Sequence, residues 1–324
     1  MIPARASAGG TAPPRTLTIG TRGSKLALVQ TELVRAALQA ADPALQVVIR
    51  HITTRGDVLL DRPLAAIGDK GLFVTEIETA LRSGWIDLAV HSAKDLPSEL
   101  PPDMEIGAIP IRTDARDALV SRAGRLRDLP PGARVGTSSP RRTCQLRAVR
   151  PDLEILDLRG NVDTRLRKLE AGEYEALVLA AAGLIRLDRA AAVTEWLAPE
   201  VMLPAIGQGA LAVEIRAGDL AVAEIVGRLA DEAATAAVRA ERAFLAGIGG
   251  GCASAVGAYA TVTDDALTLT GLIGAADGRL VRGTVHGTPA EAAALGKRLA
   301  AQLLAEGGAV LLMVRGPTGE GDNE

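Results

Sequence analysis

Aromatic side chains are scarce: two Trp, two Tyr and two Phe in 324 residues. Proteins that hold single-stranded nucleic acid stack bases on aromatic faces, so this composition argues against that function. A net charge of −3 argues against a general nucleic-acid surface as well. Cysteine is equally sparse. Cys144 and Cys252 cannot build a disulfide framework. There is no CxxC, and His51, His91 and His286 do not fall at ligand spacing, so no metal site is expected. The longest apolar run, Ala176 to Ile185, is too short to span a bilayer, and no membrane partner is expected. Residues 1–15 lack the apolar stretch of a secretory signal. They read as a disordered tail, and a reducing cytoplasm is the expected compartment.

What the chain does have is a concentration of positive charge. Arg134 to Lys168 holds nine Arg and Lys against four Asp and Glu, inside a chain that is slightly acidic overall. Arg141 and Arg142 follow Ser138-Ser139-Pro140, which reads as a helix start: Ser caps, and Pro suits the first turn. Arg159 follows the apolar run Leu153–Leu158, and Arg165 lies one turn into the next helical pattern. Strand, loop and helix alternate here as in a parallel α/β sheet. In such sheets the strand C-terminal ends and helix N-termini share one edge, where ligands bind. Guanidinium groups gathered at that edge favour a polyanion.

The rest of the chain repeats the rhythm. Leu17–Thr21 reads as a strand, and Ser24 can cap a helix whose apolar stripe is Leu26, Val29, Leu33 and Ala37. Thr53–Lys70 has little periodicity and reads as a lid over a site. Gly71–Leu81 looks helical, with Phe73 and Ile77 on one face. Trp85–Val90 is a strand that ends in HSAKDLP, which puts Lys94 and Asp95 at the ligand edge. A carboxylate among cations there stays ionised and suits stabilising a cationic intermediate or relaying a proton. IGTRGS at Ile19–Ser24 and VGTSSP at Val135–Pro140 form a weak internal echo, as two similar lobes would give. Tyr174–Ala182 reads as a buried strand, and Leu203–Ile215 as a Gly-hinged segment able to cross back to the first lobe. From about Asp231 the pattern changes to helix, antiparallel strands with an Asp277-Gly278 hairpin turn, and a closing helix over Ala290–Glu306. The expected fold is α/β, with two mainly parallel lobes and a small α+β C-terminal domain. Cys252, in IGGGCASAVG, is an accessible thiol in an adaptable loop, whereas Cys144 lies inside a helix and reads as packed and inert.

These segments together resemble the porphobilinogen deaminase (hydroxymethylbilane synthase) family. The resemblance runs from about Leu17 to the last helix, through IGTRGSKLAL, TTRGD, GDKGLF, DLAVHSAKDLP, VGTSSPRRTCQL, LRGNVDTRL, AAAGLIRL, PAIGQGAL and ERAFLAGIGGGC in order. It implies two lobes like those of periplasmic binding proteins flanking a cleft. The implied boundaries are residues 16–112 with 208–229 for lobe one, 113–207 for lobe two, and 230–324 for the cofactor-carrying domain. It implies one dipyrromethane cofactor per chain, joined to Cys252 by a thioether. Four porphobilinogen units would be added to it, with loss of ammonia, before hydrolysis releases a linear tetrapyrrole. By the same resemblance, Asp95 would stabilise the azafulvene cation formed when ammonia leaves, as catalytic group. Lys94, Asp95, Thr137, Ser139, Arg141 and Arg142 would hold the cofactor. Arg22, Ser24, Phe73, Arg159, Arg165 and Arg186 would bind substrate, and the enzyme would be a monomer with porphobilinogen as its partner. Two departures from the family pattern are Ala255, where Pro is usual, and Asp69, where Gly is common. The other readings are a two-lobed anion-binding protein without catalysis, which has no need of a thiol in a glycine loop, and a nucleic-acid-binding domain, which the dearth of aromatics disfavours.

Overall fold

The computed structural model describes residues 16–54, 74–249 and 255–313. Its first sheet is built from β1 (Thr16–Thr21), β2 (Gln46–His51), β3 (Leu88–Ser92), β4 (Met104–Ala108) and β10 (Leu211–Arg216), in the order β2-β1-β3-β10-β4. Its second contains β5 (Asp117–Ser121), β6 (Arg134–Gly136), β7 (Glu154–Leu156), β8 (Ala176–Ala180) and β9 (Glu195–Leu197), in the order β7-β6-β8-β5-β9. In sheet one, β1 pairs parallel with β2 and β3, while β10 runs against both β3 and β4. In sheet two, β6 pairs parallel with β7 and β8, while β5 runs against both β8 and β9. The two lobes therefore share one topology. Each has a single reversed strand, delivered by a segment that crosses from the other lobe.

The correspondence extends to register. Ile19 and Gly20 face Leu88 and Ala89 in lobe one, and Val135 and Gly136 face Ala176 and Leu177 in lobe two. The IGTRGS and VGTSSP segments thus occupy the same place in the two sheets. Their shared glycine has a packing reason. A Cβ at Gly20 would run into Ile86, and one at Gly136 would lie 2.7 Å from Leu177 and 3.0 Å from Tyr174.

Helix α1 (Lys25–Ala41) starts where the sequence places it, with Ser24 Oγ accepting the Ala27 amide. Its buried face is not the expected stripe, however. Gln30, Thr31, Val34 and Leu38 are buried, whereas Leu33 is half exposed. Val34 and Leu38 join Leu17, Ile19 and Leu88 in the core, and the leading turn faces lobe two, where Leu26 approaches Gly183. Helix α2 (Thr75–Arg82) buries Ile77 and Leu81. In lobe two, α3 (Pro140–Val149), α4 (Val162–Glu170) and α5 (Ala181–Arg186) follow β6, β7 and β8. The buried strand expected over Tyr174–Ala182 is shorter, because its last residues already turn into α5.

After β10, α6 (Leu220–Gly227) closes lobe one. Helices α7 (Glu232–Gly247) and α8 (Ala292–Leu303) then pack on an antiparallel sheet of β11 (Ala255–Thr263), β12 (Ala266–Gly274) and β13 (Leu280–Gly287), around Phe244, Leu269 and Leu299. Gly278, at φ 98°, makes the expected hairpin turn. This is the α/β architecture, with its small α+β addition, that the sequence predicts.

The C-terminal unit meets both interlobe segments at one buried carboxylate. Glu241 on α7 accepts Arg112 Nη1 at 2.6 Å from the first crossing, the Gly207 amide at 2.6 Å from the second, and the Ala260 amide at 2.8 Å from β11. It also touches lobe two directly. Arg147 of α3 donates to the Ala276 carbonyl, and the fully buried Cys144 donates its Sγ–H to the Arg279 carbonyl at 3.5 Å. Burial pushes the Cys144 thiol up to about 11, so it packs and does not react.

Candidate functional site

The strand ends of both lobes carry the residues that the sequence marks. In lobe two, β6 ends at Gly136, and Thr137, Ser138 and Ser139 turn the chain into α3. Pro140 takes the first helical position as expected. Ser139 takes the cap position but makes no capping bond. Instead, Thr137 Oγ1 accepts the Ser139 amide at 3.2 Å, and Ser138 is bonded twice to Leu158, donating to its carbonyl and accepting its amide. Ser139 keeps its hydroxyl available at the head of a helix whose first turn holds no acidic residue.

Arg141 and Arg142 are buried, which solvated surface arginines would not be. They share one fully buried carboxylate, Asp117, at the start of β5. Arg141 Nη1 donates to Asp117 Oδ2 at 2.7 Å and to the Leu203 carbonyl at 2.6 Å. Arg142 donates to Asp117 Oδ1 through Nε at 3.0 Å and Nη2 at 2.7 Å, and to the Val178 carbonyl through Nη1 at 2.8 Å. Gln208, from the second crossing, adds its amide to Asp117 Oδ1 at 3.1 Å. Burial alone would raise the Asp117 carboxyl, but the two guanidinium groups bring it down to about 2. Sequence reasoning missed Asp117 and Gln208. The only available signal was a single acid heading the apolar run DALV.

Lys94 and Asp95 lie in the short turn after β3. Desolvation pushes the Lys94 ammonium down to about 8. Asp95 and Asp117 pull it up, while Arg142 and Arg141 push it further down. This mutual influence places Lys94 of lobe one beside the arginine cluster of lobe two. Asp95 is exposed, and among the described residues it makes no hydrogen bond through its side chain.

Arg165 and Arg186 carry the same signature at the rim. Among the described residues Arg165 donates only to the Gly160 carbonyl, at 2.7 Å. Desolvation, with Arg142 and Arg159 nearby, lowers it to about 10. Arg186 donates to the Gly209 carbonyl at 2.8 Å, and burial lowers it to about 10 as well. Neither faces a carboxylate within ion-pair distance among the described residues. The Nε atoms of Arg141 and Arg186 are buried without a partner among those residues. Arg159 is held loosely by Asp157 at 3.4 Å. Half-buried Arg22 and the capping Ser24 leave β1 at the equivalent edge of lobe one.

The structure thus brings Lys94, Asp95, Arg141, Arg142, Arg159 and Arg165 into one electrostatic neighbourhood. Phe73, Cys252, Asp69, residues 1–15 and all but the first two residues of the expected lid lie outside the described residues. A charge census fits a polyanionic ligand. Among the described residues Lys94, Arg141, Arg142 and Arg165 outnumber the carboxylates Asp95 and Asp117 around them, and the Nε atoms of Arg141 and Arg186 keep an N–H for ligand carboxylates.

Comparison with known proteins agrees with this chemistry. Residues 17–224 match the family model described as porphobilinogen deaminase, dipyromethane cofactor binding domain. Residues 235–305 match that of the porphobilinogen deaminase C-terminal domain. The chain is similar to porphobilinogen deaminase of Roseiflexus castenholzii, with 63% identity covering 92% of this chain and 98% of the relative. It is 62% identical to that of Roseiflexus sp. strain RS-1, covering 92% and 99%. Among solved structures, the Bordetella pertussis BvgS periplasmic VFT2 domain is a remote likeness: TM-score 0.40, 15% identity, 66% of this chain and 86% of that one.

Proposed function

This chain belongs to the porphobilinogen deaminase family, and we propose from that premise how its residues divide the work. The activity is that of hydroxymethylbilane synthase. Four porphobilinogen molecules are condensed head to tail, with loss of ammonia, onto a dipyrromethane primer, and hydrolysis releases the linear tetrapyrrole for porphyrin synthesis. The observation that carries the assignment of residues is the excess of desolvated cation over carboxylate in the cleft. Each pyrrole brings an acetate and a propionate, and such a chain supplies the anions that this excess lacks.

In this reading residues 16–112 with 208–229 form lobe one, 113–207 lobe two, and 230–324 the domain that carries the cofactor. When bound, the dipyrromethane supplies the primer on which the chain is built, and Cys252 holds it through a thioether. Lys94, Thr137, Ser139, Arg141 and Arg142 hold its carboxylates. The orphan Nε of Arg141 and the uncapped hydroxyl of Ser139 support this role. Arg22, Ser24, Phe73, Arg159, Arg165 and Arg186 receive substrate carboxylates. Asp95 would stabilise the cationic charge that spreads to the pyrrole nitrogen as ammonia departs. Its exposed carboxylate, without an internal hydrogen-bond donor among the described residues, is available for that task. The reading as cytoplasmic is supported by the sparse cysteine content, and the reading as a monomer by the family resemblance. Among the described residues no helix is long and apolar enough to cross a membrane.

Mass spectrometry of the intact protein and of its peptides tests the assignment. The expected result is one dipyrromethane on the peptide containing Cys252, with turnover abolished in Cys252→Ser and largely kept in Cys144→Ser. An active protein with an unmodified Cys252 would contradict it.

A further inference from the structure

We propose that Asp117 is a positioning residue for this reaction: one buried carboxylate that orients the two cofactor-facing arginines of lobe two and ties them, through Gln208, to the second interlobe crossing. The proposal rests on the functional reading above. Both carboxylate oxygens are committed. Oδ2 accepts Arg141, and Oδ1 accepts two N–H groups of Arg142 and the amide of Gln208, at 2.7 to 3.1 Å, with no surface exposed. Gln208 also donates to the Ala115 and Arg116 carbonyls, so the same amide braces the first crossing where it enters β5.

The fold itself does not call for an acid here. By register, Asp117 faces Ala180 as Leu211 faces Ser92, so the reversed strand of lobe one begins with a leucine at the same point. Lobe one builds a sheet of the same strand order with that apolar residue. The charge at Asp117 is therefore explained by what it holds. Arg141 and Arg142 are adjacent, buried and joined by Lys94, a set of like charges that would repel without a counter-ion. One carboxylate lets them sit side by side without neutralising them. Three cations face Asp117 and Asp95, which leaves net positive charge for ligand carboxylates. Asp117 thus preorganises the donors before the ligand arrives.

Asp117→Asn keeps the shape and removes the charge. The groups facing Lys94 are Asp95, Arg142, Asp117 and Arg141. With Asp117 neutral, only Asp95 still favours the Lys94 ammonium, so its loss of charge moves to lower pH. Two readouts follow on the full chain. Cofactor loading, read by intact mass, falls at least about tenfold, the loss of one charge-assisted contact. The alkaline limb of kcat/KM in the loaded fraction moves to lower pH. Loading and limb both unchanged would overturn the proposal. If Asp117→Asn does not fold by circular dichroism, Asp117→Glu decides. It keeps the charge but displaces it, so positioning predicts about a tenfold rise in KM with the alkaline limb unmoved. A folded Asp117→Glu with wild-type KM would overturn the proposal. Wild type without a dipyrromethane on Cys252 would instead overturn the functional reading, so the two failures are distinct.

Discussion

Lobe one and lobe two have the same strand order and the same reversed strand, but they spend their polar residues in different places. Lobe one buries its charge within the sheet. His91 on β3 and Glu214 on β10 meet at 2.9 Å, at positions that correspond by register to Leu179 and Val120 in lobe two. Lobe two keeps that layer apolar and places its charge at the strand ends, where Asp117, Arg141 and Arg142 lock together. The equivalent residues in lobe one are Leu211, Lys25 and Leu26, and Lys25 is exposed, 3.6 Å from Asp163 of lobe two. The reverse holds after the central strand. Lobe one carries Lys94 and Asp95 where lobe two has Ala182 and Gly183. The two lobes thus share one strand order while placing their polar residues differently, within the sheet in lobe one and at the strand ends in lobe two. In this account lobe two supplies most of the grip on anions, with Arg22, Ser24 and Lys94 of lobe one adding to it, and lobe one supplies the reacting carboxylate.

The sharpest way to break this division is at Asp95. Asp95→Asn keeps the shape and loses the charge, and kcat is expected to fall by about 10²–10³ while the fold is retained. Asp95→Glu keeps the charge one methylene away and retains a measurable fraction. Single-turnover kinetics decides, and an Asn variant faster than Glu would show that charge is not what Asp95 provides. A smaller effect is expected on the other side of the cleft. Arg165→Leu removes a guanidinium bonded to the protein only through Gly160 among the described residues, so stability changes little. A lost charge-assisted hydrogen bond of about 1.5–3 kcal/mol then slows chain growth by roughly tenfold to a hundredfold. Intact mass should show protein stalled with some pyrroles attached. The smallest effect is at Lys94. Its ammonium has been pushed down to about 8, so it is charged at neutral pH and loses its charge as pH rises through that value. Affinity for carboxylates should weaken about severalfold between neutral pH and pH 9, read as kcat/KM, since that ratio reports the free enzyme. Lys94→Arg should flatten this alkaline limb, because a guanidinium stays charged there.

Much of this was legible in the sequence because each lobe repeats a local pattern. Ser24 and Pro140 mark helix starts, Asp277-Gly278 marks a hairpin, and the IGT and VGT segments mark equivalent turns. Lys94 and Asp95 were found because they stand where a strand ends, Arg141, Arg142, Arg159 and Arg165 because they fall at loop–helix junctions, and Arg22 and Arg186 through the family resemblance. The residues that were missed act at long range. Asp117 lies 24 residues before Arg141, and Glu241 meets Arg112 across 129 residues, so no local period reports them. The stripe on α1 failed for a related reason. Leu26 and Leu33 look like core by periodicity, but Leu26, in the leading turn, faces the other lobe, a contact that a single-helix pattern does not encode, and Leu33 is half exposed. Ser139 takes the cap position of α3 but makes no capping bond, while its own amide is held by Thr137 Oγ1.

The division of labour is tested most directly by giving Asp95→Asn and Arg165→Leu the same small excess of porphobilinogen and reading the mass of each intact protein. Within the time wild type needs for one round of synthesis, Asp95→Asn is expected to add no pyrrole to whatever it carried beforehand. Arg165→Leu should give a ladder of partly extended chains. A ladder in Asp95→Asn as long as that in Arg165→Leu would contradict it, because the two lobes would then not divide chemistry from grip.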